Sequence, residues 1–250
     1  MERRSRRRSP GLTGTQLKVI AMVSMAVDHA AYVLVYPAVL TGFAPAWIYL
    51  AMRAFGRLAF PIYGFLLAQG FLNTSDRRRY LGRLCLFALI SEVPFDLAVA
   101  GRVFYPGAQN VFVTLAVALG TLWGLERAED GELAGGPGGG EPSAARPGHL
   151  LKAAAILAAG GLAAQFLRSD YGFLGVAFAA AVYLFRMDPA KRLMGEIVSL
   201  GLLGFWNLPC LLAIPLTEKY NGERGKRLGL WAYWFYPVHL LALKGLQMMI

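Results

Sequence analysis

The stretch TQLKVIAMVSMAVDHAAYVLVY, residues 15–36, decides the architecture. A bilayer is crossed by about 20 mostly apolar residues in a helix, and this segment has that length. Its only charged or imidazole side chains are Lys18, Asp28 and His29. The preceding MERRSRRRSP could pass for the basic start of a secretory leader. The three polar interruptions and the lack of a small-residue cleavage site point instead to an uncleaved first span. Residues 1–14 are then a basic cytoplasmic tail.

Working outward, comparable apolar stretches recur at 46–72, 82–100, 109–126, 150–167, 171–186, 193–206, 207–217 and 229–249. The fold class is therefore all-α, a polytopic transmembrane helix bundle of about nine spans. The seventh and eighth are short and read either as a re-entrant pair or as one broken helix, so eight to ten spans remain open. Composition agrees: 56% of the chain is hydrophobic and 16% charged, against roughly 25% charged in average proteins. A soluble domain of this length has too little interior to bury that much apolar surface.

The net charge of +10 would suggest nucleic acid in a soluble domain. Here the cations lie in loops beside apolar spans, and topology explains them better. With the N-terminus inside, the inner segments collect Arg3, Arg4, Arg6, Arg7 and Arg8, then Arg77, Arg78, Arg79 and Arg83. They go on to collect Arg127, Arg146 and Lys152, then Arg186, Lys191 and Arg192, then Lys219, Arg224, Lys226 and Arg227. The outer loops hold only Arg102 and Arg168. The expected partner is the lipid bilayer, with no nucleic acid. Residues 131–149, rich in Gly and Pro, read as a cytoplasmic linker inside a single transmembrane domain spanning 15–250. His149 is idle in this reading. Cys85 and Cys210 lack metal-ligand spacing and read as buried, inert thiols; no metal site is expected.

Ionisable groups inside spans are costly and usually pair or work. Lys18, Met22, Met25 and His29 share one helical face, continued by Tyr32 and Tyr36. Eleven residues from Lys18 to His29 rise about 16 Å, which brings His29 near mid-membrane. Arg53 and Arg57 share a face of the second span, and Glu92 and Asp96 share one in the third. Because the two spans run antiparallel, Arg53 should meet Asp96 and Arg57 should meet Glu92. The plainer use of such pairs is to glue helices together. Gln109, Asn110 and Thr114 open the fourth span, Asp170 and Tyr171 sit at an outer turn, and Glu196 lies near an inner end where water would reach it. His239 is again near mid-depth, within WFYPVHL. A neutral imidazole can act as a general base, a carboxylate can orient it, and arginines can hold anions. No serine-hydrolase elbow, HExxH or Walker A loop is present; GERGKRLG at 222–229 lacks the Walker spacing.

The order of LKVIAMVSMAVDH (17–29), GRLAFPIYGFLLAQGFLNT (56–74), RLCLFALISEVPFDLA (83–98), QNVFVTLAVALG (109–120), DYGFLGV (170–176), YNGERG (220–225) and FYPVHL (235–240) resembles the TraX family of bacterial membrane proteins. That family is named for a conjugative-plasmid protein that acetylates the N-terminus of pilin. The family is similar in turn to membrane acyltransferases that carry a basic residue, ten intervening residues and an essential His in the first span. Lys18 and His29 have that spacing, with Lys where Arg is usual, and GFLL at 64–67 resembles a second-span motif.

The resemblance implies a bacterial inner-membrane acetyltransferase using acetyl-coenzyme A as donor and a protein or glycan acceptor. On that reading His29 is the base or transient acyl acceptor, oriented by Asp28, with Arg57 and Glu92 completing the site. Lys18, Arg53, Asp96, Asn110, Asp170, Tyr171 and His239 stand around it or on the acceptor side. Arg77, Arg78, Arg83, Lys226 and Arg227 would attract the anionic donor. Two other classes stay open: a proton-coupled transporter, and a non-catalytic assembly partner of a pilus or conjugation complex.

Overall fold

A computed structural model describes residues 10–134 and 147–249. The tail arginines Arg3 to Arg8 and Arg146, with most of the Gly/Pro-rich stretch, lie outside the described residues. The first span is one helical run, α1 (Gly14–Ala30), a π-helical turn at Ala31–Val35, and α2 (Tyr36–Leu40). The second is α3 (Ala46–Gly56) and α4 (Ala59–Leu72). There follow α5 (Arg77–Val99), α6 (Val111–Ala134), α7 (Pro147–Phe166) and α8 (Gly172–Leu184). The chain ends with α9 (Pro189–Gly201), a 3-10 stretch at Phe205–Ala213, α10 (Ile214–Glu218) and α11 (Trp231–Gln247). Among the described residues the β-type pairings are two isolated bridges, Leu12–Tyr220 and Gln109–Ser169.

The all-helical membrane architecture holds, but the helices do not establish nine crossings. Among the described residues three stretches are long and apolar enough to span a bilayer: Gly14–Leu40, Ala46–Leu72 and Val111–Glu129. Leu150–Phe166 and Gly172–Leu184 are apolar but shorter. The doubtful pair at 193–217 becomes α9 followed by a 3-10 turn packed against it, since Pro209 and Pro215 deny the backbone donors a continuous helix needs. Helix α6 runs to Ala134, so the first residues of the expected linker are helical.

Ion pairs and backbone bonds gather the basic loops at one end of the bundle. Arg77 grips Glu126, Arg186 faces Glu129 at 3.7 Å, and Arg192 meets Glu218 at 2.5 Å. At this end the segment before α1 is stitched to the loop after α10. Leu12 N donates to Lys219 O, Gly14 N to Glu223 O and Thr15 N to Arg224 O, at 2.7, 2.8 and 3.0 Å. Gly222 and Gly225 take positive φ in that loop, and a Cβ on Gly225 would lie 2.8 Å from the Thr13 hydroxyl. At the opposite end Gln109 N donates to Arg168 O.

The break between α3 and α4 has a local cause. Pro61 lacks the N–H that would bond the Arg57 carbonyl, and its ring crowds that carbonyl. Beside the break the carbonyls of Phe55 and Gly56 also accept from the Ser24 hydroxyl of α1, at 2.8 and 3.0 Å. Gly56 lets the two helices touch, because a Cβ there would sit 2.3 Å from the Asp28 side chain. Helix α1 therefore packs on α3 and α4 along one side and on α11 along another, whereas α5 packs on α6 and α11.

Two smaller expectations change. Cys85 is exposed on the outside of α5, while Cys210 is buried as read. Glu196 is fully buried rather than wetted, with Arg192 at 3.6 Å.

Candidate active site within the bundle

The contact of α1 with α3 brings Asp28 to Arg53: Arg53 Nη1 donates to Asp28 Oδ2 at 2.5 Å. This overturns the expected Arg53–Asp96 pair. Asp96, 1% exposed, accepts instead from Tyr105 N at 2.7 Å and holds the 100–110 loop. The Arg57–Glu92 pair is absent too. Glu92 accepts from the Asn110 amide at 2.5 Å, and Asn110 caps α6 by accepting from Phe112 N at 3.0 Å. Equal depth misled the pairing, because α11 packs on α5 and occupies the side from which α3 was expected.

Arg57, at the helix break, lies instead within electrostatic reach of Tyr171, Asp28 and Asp170. Asp170 and Tyr171 arrive through the tight turn from α7 to α8. Arg168 adopts a left-handed φ of 54° there, and the Ser169 hydroxyl donates to Ala164 O. The turn aims Tyr171 inward, flat on Phe60 with centroids 3.6 Å apart. Asp28 Oδ1 and Arg57 Nε are buried without a hydrogen-bond partner. Such orphans cost about 1–3 kcal/mol each, so this cluster retains bonding capacity that the protein itself does not use.

Asp28 does not touch the imidazole of His29, since adjacent helical residues point roughly 100° apart. The partner of His29 is His239: His29 Nδ1 lies 2.6 Å from His239 Nε2. His239 Nδ1 lies 2.7 Å from the Phe235 carbonyl, and the Phe235 ring stacks on His239 with a 16° tilt. The Tyr236 ring stands edge-on to His29. The π-helical turn begins two residues after His29; such turns are frequent at functional sites.

A cavity of about 540 Å³ opens near the start of α1 and runs inward along it. Ligand pockets are commonly about 300–1,000 Å³. Its outer part is lined by Lys18, Arg83 and Arg224, its inner part by Met25, Tyr63 and Tyr236. Met25 is one helical turn short of His29, and Tyr236 contacts both the cavity and His29. None of the three cations is in an ion pair with a carboxylate among the described residues, and Lys18 and Arg224 are close enough to repel. The mouth thus carries positive charge with no internal anion to balance it.

Of the residues expected to attract an anionic donor, Arg83 lines this cavity. Arg77 does not: both its ends are consumed by Glu126 and the Thr74 carbonyl. Arg78, Lys226 and Arg227 are exposed and do not line it. Arg224, within the basic 219–227 loop also expected to attract the donor, lines the cavity too; it sits inside YNGERG between two glycines of positive φ that let the loop fold back. An apolar groove of about 550 Å³ lies between α1 and α11, and on α11 Phe235 and Leu243 flank His239.

Fold and arrangement together define a helical membrane protein that encloses ionisable side chains between its helices. The particular family follows from sequence. The profile described as TraX protein matches residues 13–247, and the chain belongs to the TraX family. It is similar, at 27% identity over 94% of this chain and 96% of the relative, to a protein of Dichelobacter nodosus described as "Probable fimbrial assembly protein FimC, serogroup H1". No solved structure matches the chain.

Proposed function

We propose that this protein is an acetyltransferase of the bacterial inner membrane. It would take acetyl from acetyl-coenzyme A on the cytoplasmic side and pass it to an amine or hydroxyl of a protein or glycan acceptor. The observation that carries the reading is the alignment of a cation-mouthed cavity with a paired histidine one turn beyond its inner end. Lys18, Arg83 and Arg224 suit the phosphates of the donor. His29 removes the proton from the attacking amine or hydroxyl, whose lone pair forms the new bond to the acetyl carbon. The thioester bond breaks, and His29 returns the proton to the departing thiolate. Arg57 is the available cation for the developing oxyanion. The concentration of basic loops at the end bearing Leu12 supports a cytoplasmic N-terminus by the positive-inside rule.

The test is transfer of labelled acetyl from acetyl-coenzyme A to candidate acceptors by the purified protein in detergent. Transfer that is lost in His29→Ala, with the melting profile unchanged, is the expected result. Unchanged transfer in that variant removes His29 from the chemistry.

A second reading, a non-catalytic partner in fimbrial assembly, is favoured by the description of the Dichelobacter relative. It requires assembly to tolerate His29→Ala and Arg57→Met while failing when the loops at 219–230 are altered. A fimbriation assay across these variants separates the two.

A further inference from the structure

The two histidines form a hydrogen-bonded chain with a fixed direction. The Phe235 carbonyl can only accept, so the His239 Nδ1 that faces it at 2.7 Å carries a proton. A neutral imidazole has one ring proton, which leaves His239 Nε2 a bare acceptor. His29 Nδ1 faces that nitrogen at 2.6 Å. Two bare nitrogens cannot share so short a distance, so His29 Nδ1 holds the proton and donates it. His29 Nε2 is then bare.

We propose that His239 is a positioning residue that locks His29 as its Nδ1–H tautomer, so that Nε2 always faces the reaction as a lone pair. The inference deepens the reading of His29 as the base and rests on it. The opposite sense would need an imidazolium at position 239, and neither ring has a carboxylate partner among the described residues. The stacked Phe235 ring sets the plane of His239, and the helical i to i+4 relation between Phe235 and His239 makes its Nδ1 bond local. The sense of the chain is therefore set by α11 alone, before α1 is considered. When Nε2 takes a proton, the new imidazolium already donates from Nδ1 to His239. The charge is shared with the second ring, and it goes no further because the Phe235 carbonyl is too weak a base to take the His239 Nδ1 proton.

The experiment uses the full chain in detergent, with its three histidines labelled with nitrogen-15, and compares wild type, His239→Gln and His239→Phe. Gln can offer its amide oxygen to His29 Nδ1, while Phe keeps the ring volume and offers no acceptor. The expected spectra show His29 protonated at Nδ1 and bare at Nε2 in wild type and His239→Gln, and a mixture of tautomers in His239→Phe. Acetyl transfer should fall about a hundredfold in His239→Phe, within the usual scale of general-base effects, and be largely retained in His239→Gln. A proton on His29 Nε2 in the wild type overturns the proposal, as does a His239→Phe spectrum that matches it. If the wild type transfers no acetyl at all, the catalytic reading falls, but the nitrogen shifts still decide the tautomer.

Discussion

Two sets of intramembrane acids look alike in the sequence and are used differently. Glu92 and Asp96 on α5 each accept from a neighbour close in sequence, Asn110 and Tyr105 N. They fasten the connection between α5 and α6. Asp28 on α1 reaches across to Arg53 on another span and lies near Arg57 and Asp170. All three acids keep one oxygen without a partner, so the contrast lies in what the other oxygen holds. Glu92 and Asp96 hold uncharged amide donors of the α5–α6 connection, whereas Asp28 holds a guanidinium across a helix interface.

That contrast can be broken in four ways. The largest effect is expected at the histidine: His29→Ala should lower labelled acetyl transfer by about 10²–10⁴, whereas Glu92→Gln keeps most of its rate. Equal losses in the two variants would erase the distinction. Next, Asp28→Ala strands Arg53 in a partly buried site and should cost about 2–4 kcal/mol of stability, read as urea-induced unfolding in detergent. The double variant Asp28→Asn with Arg53→Met should recover part of that. Third, Lys18→Met and Arg224→Met should each raise KM for the donor about tenfold, the scale of one charge-assisted contact, with kcat little changed. Arg77→Met is the control, and should lower stability while leaving KM alone. Smallest is Asp96→Asn, which keeps an acceptor for Tyr105 N. Its stability should change by about 1 kcal/mol or less, with transfer unaltered, and proteolysis of the 100–110 loop should report any loosening.

The first two spans were legible because bilayer thickness sets their length and hydropathy records it: 15–36 and 46–72 fall inside two long apolar helical runs. His29 and His239 were singled out from depth alone, and they are in contact. The partners of Arg53 and Arg57 were not legible. Depth along a span says nothing about which spans are neighbours, and the choice of α11 rather than α3 beside α5 is a tertiary fact. The helix break at Arg57 had a local signal that went unread, Pro61 four residues on. Arg224 was readable only as one charge of the basic 219–227 loop, because its place at the cavity mouth depends on that loop being stitched to the chain's first helix, more than 200 residues away in sequence.

That stitch and the histidine pair share a consequence for synthesis. His29 and His239 are 210 residues apart, and at roughly 5–20 residues per second a ribosome needs some 10–40 seconds to supply the second after the first. Throughout that interval the growing polypeptide holds only half a site, with the leading helix unclasped. If His29 is the base of an acetyl transfer, a polypeptide released before α11 is made would lack the ring that His29 pairs with and would carry no complete site to misdirect.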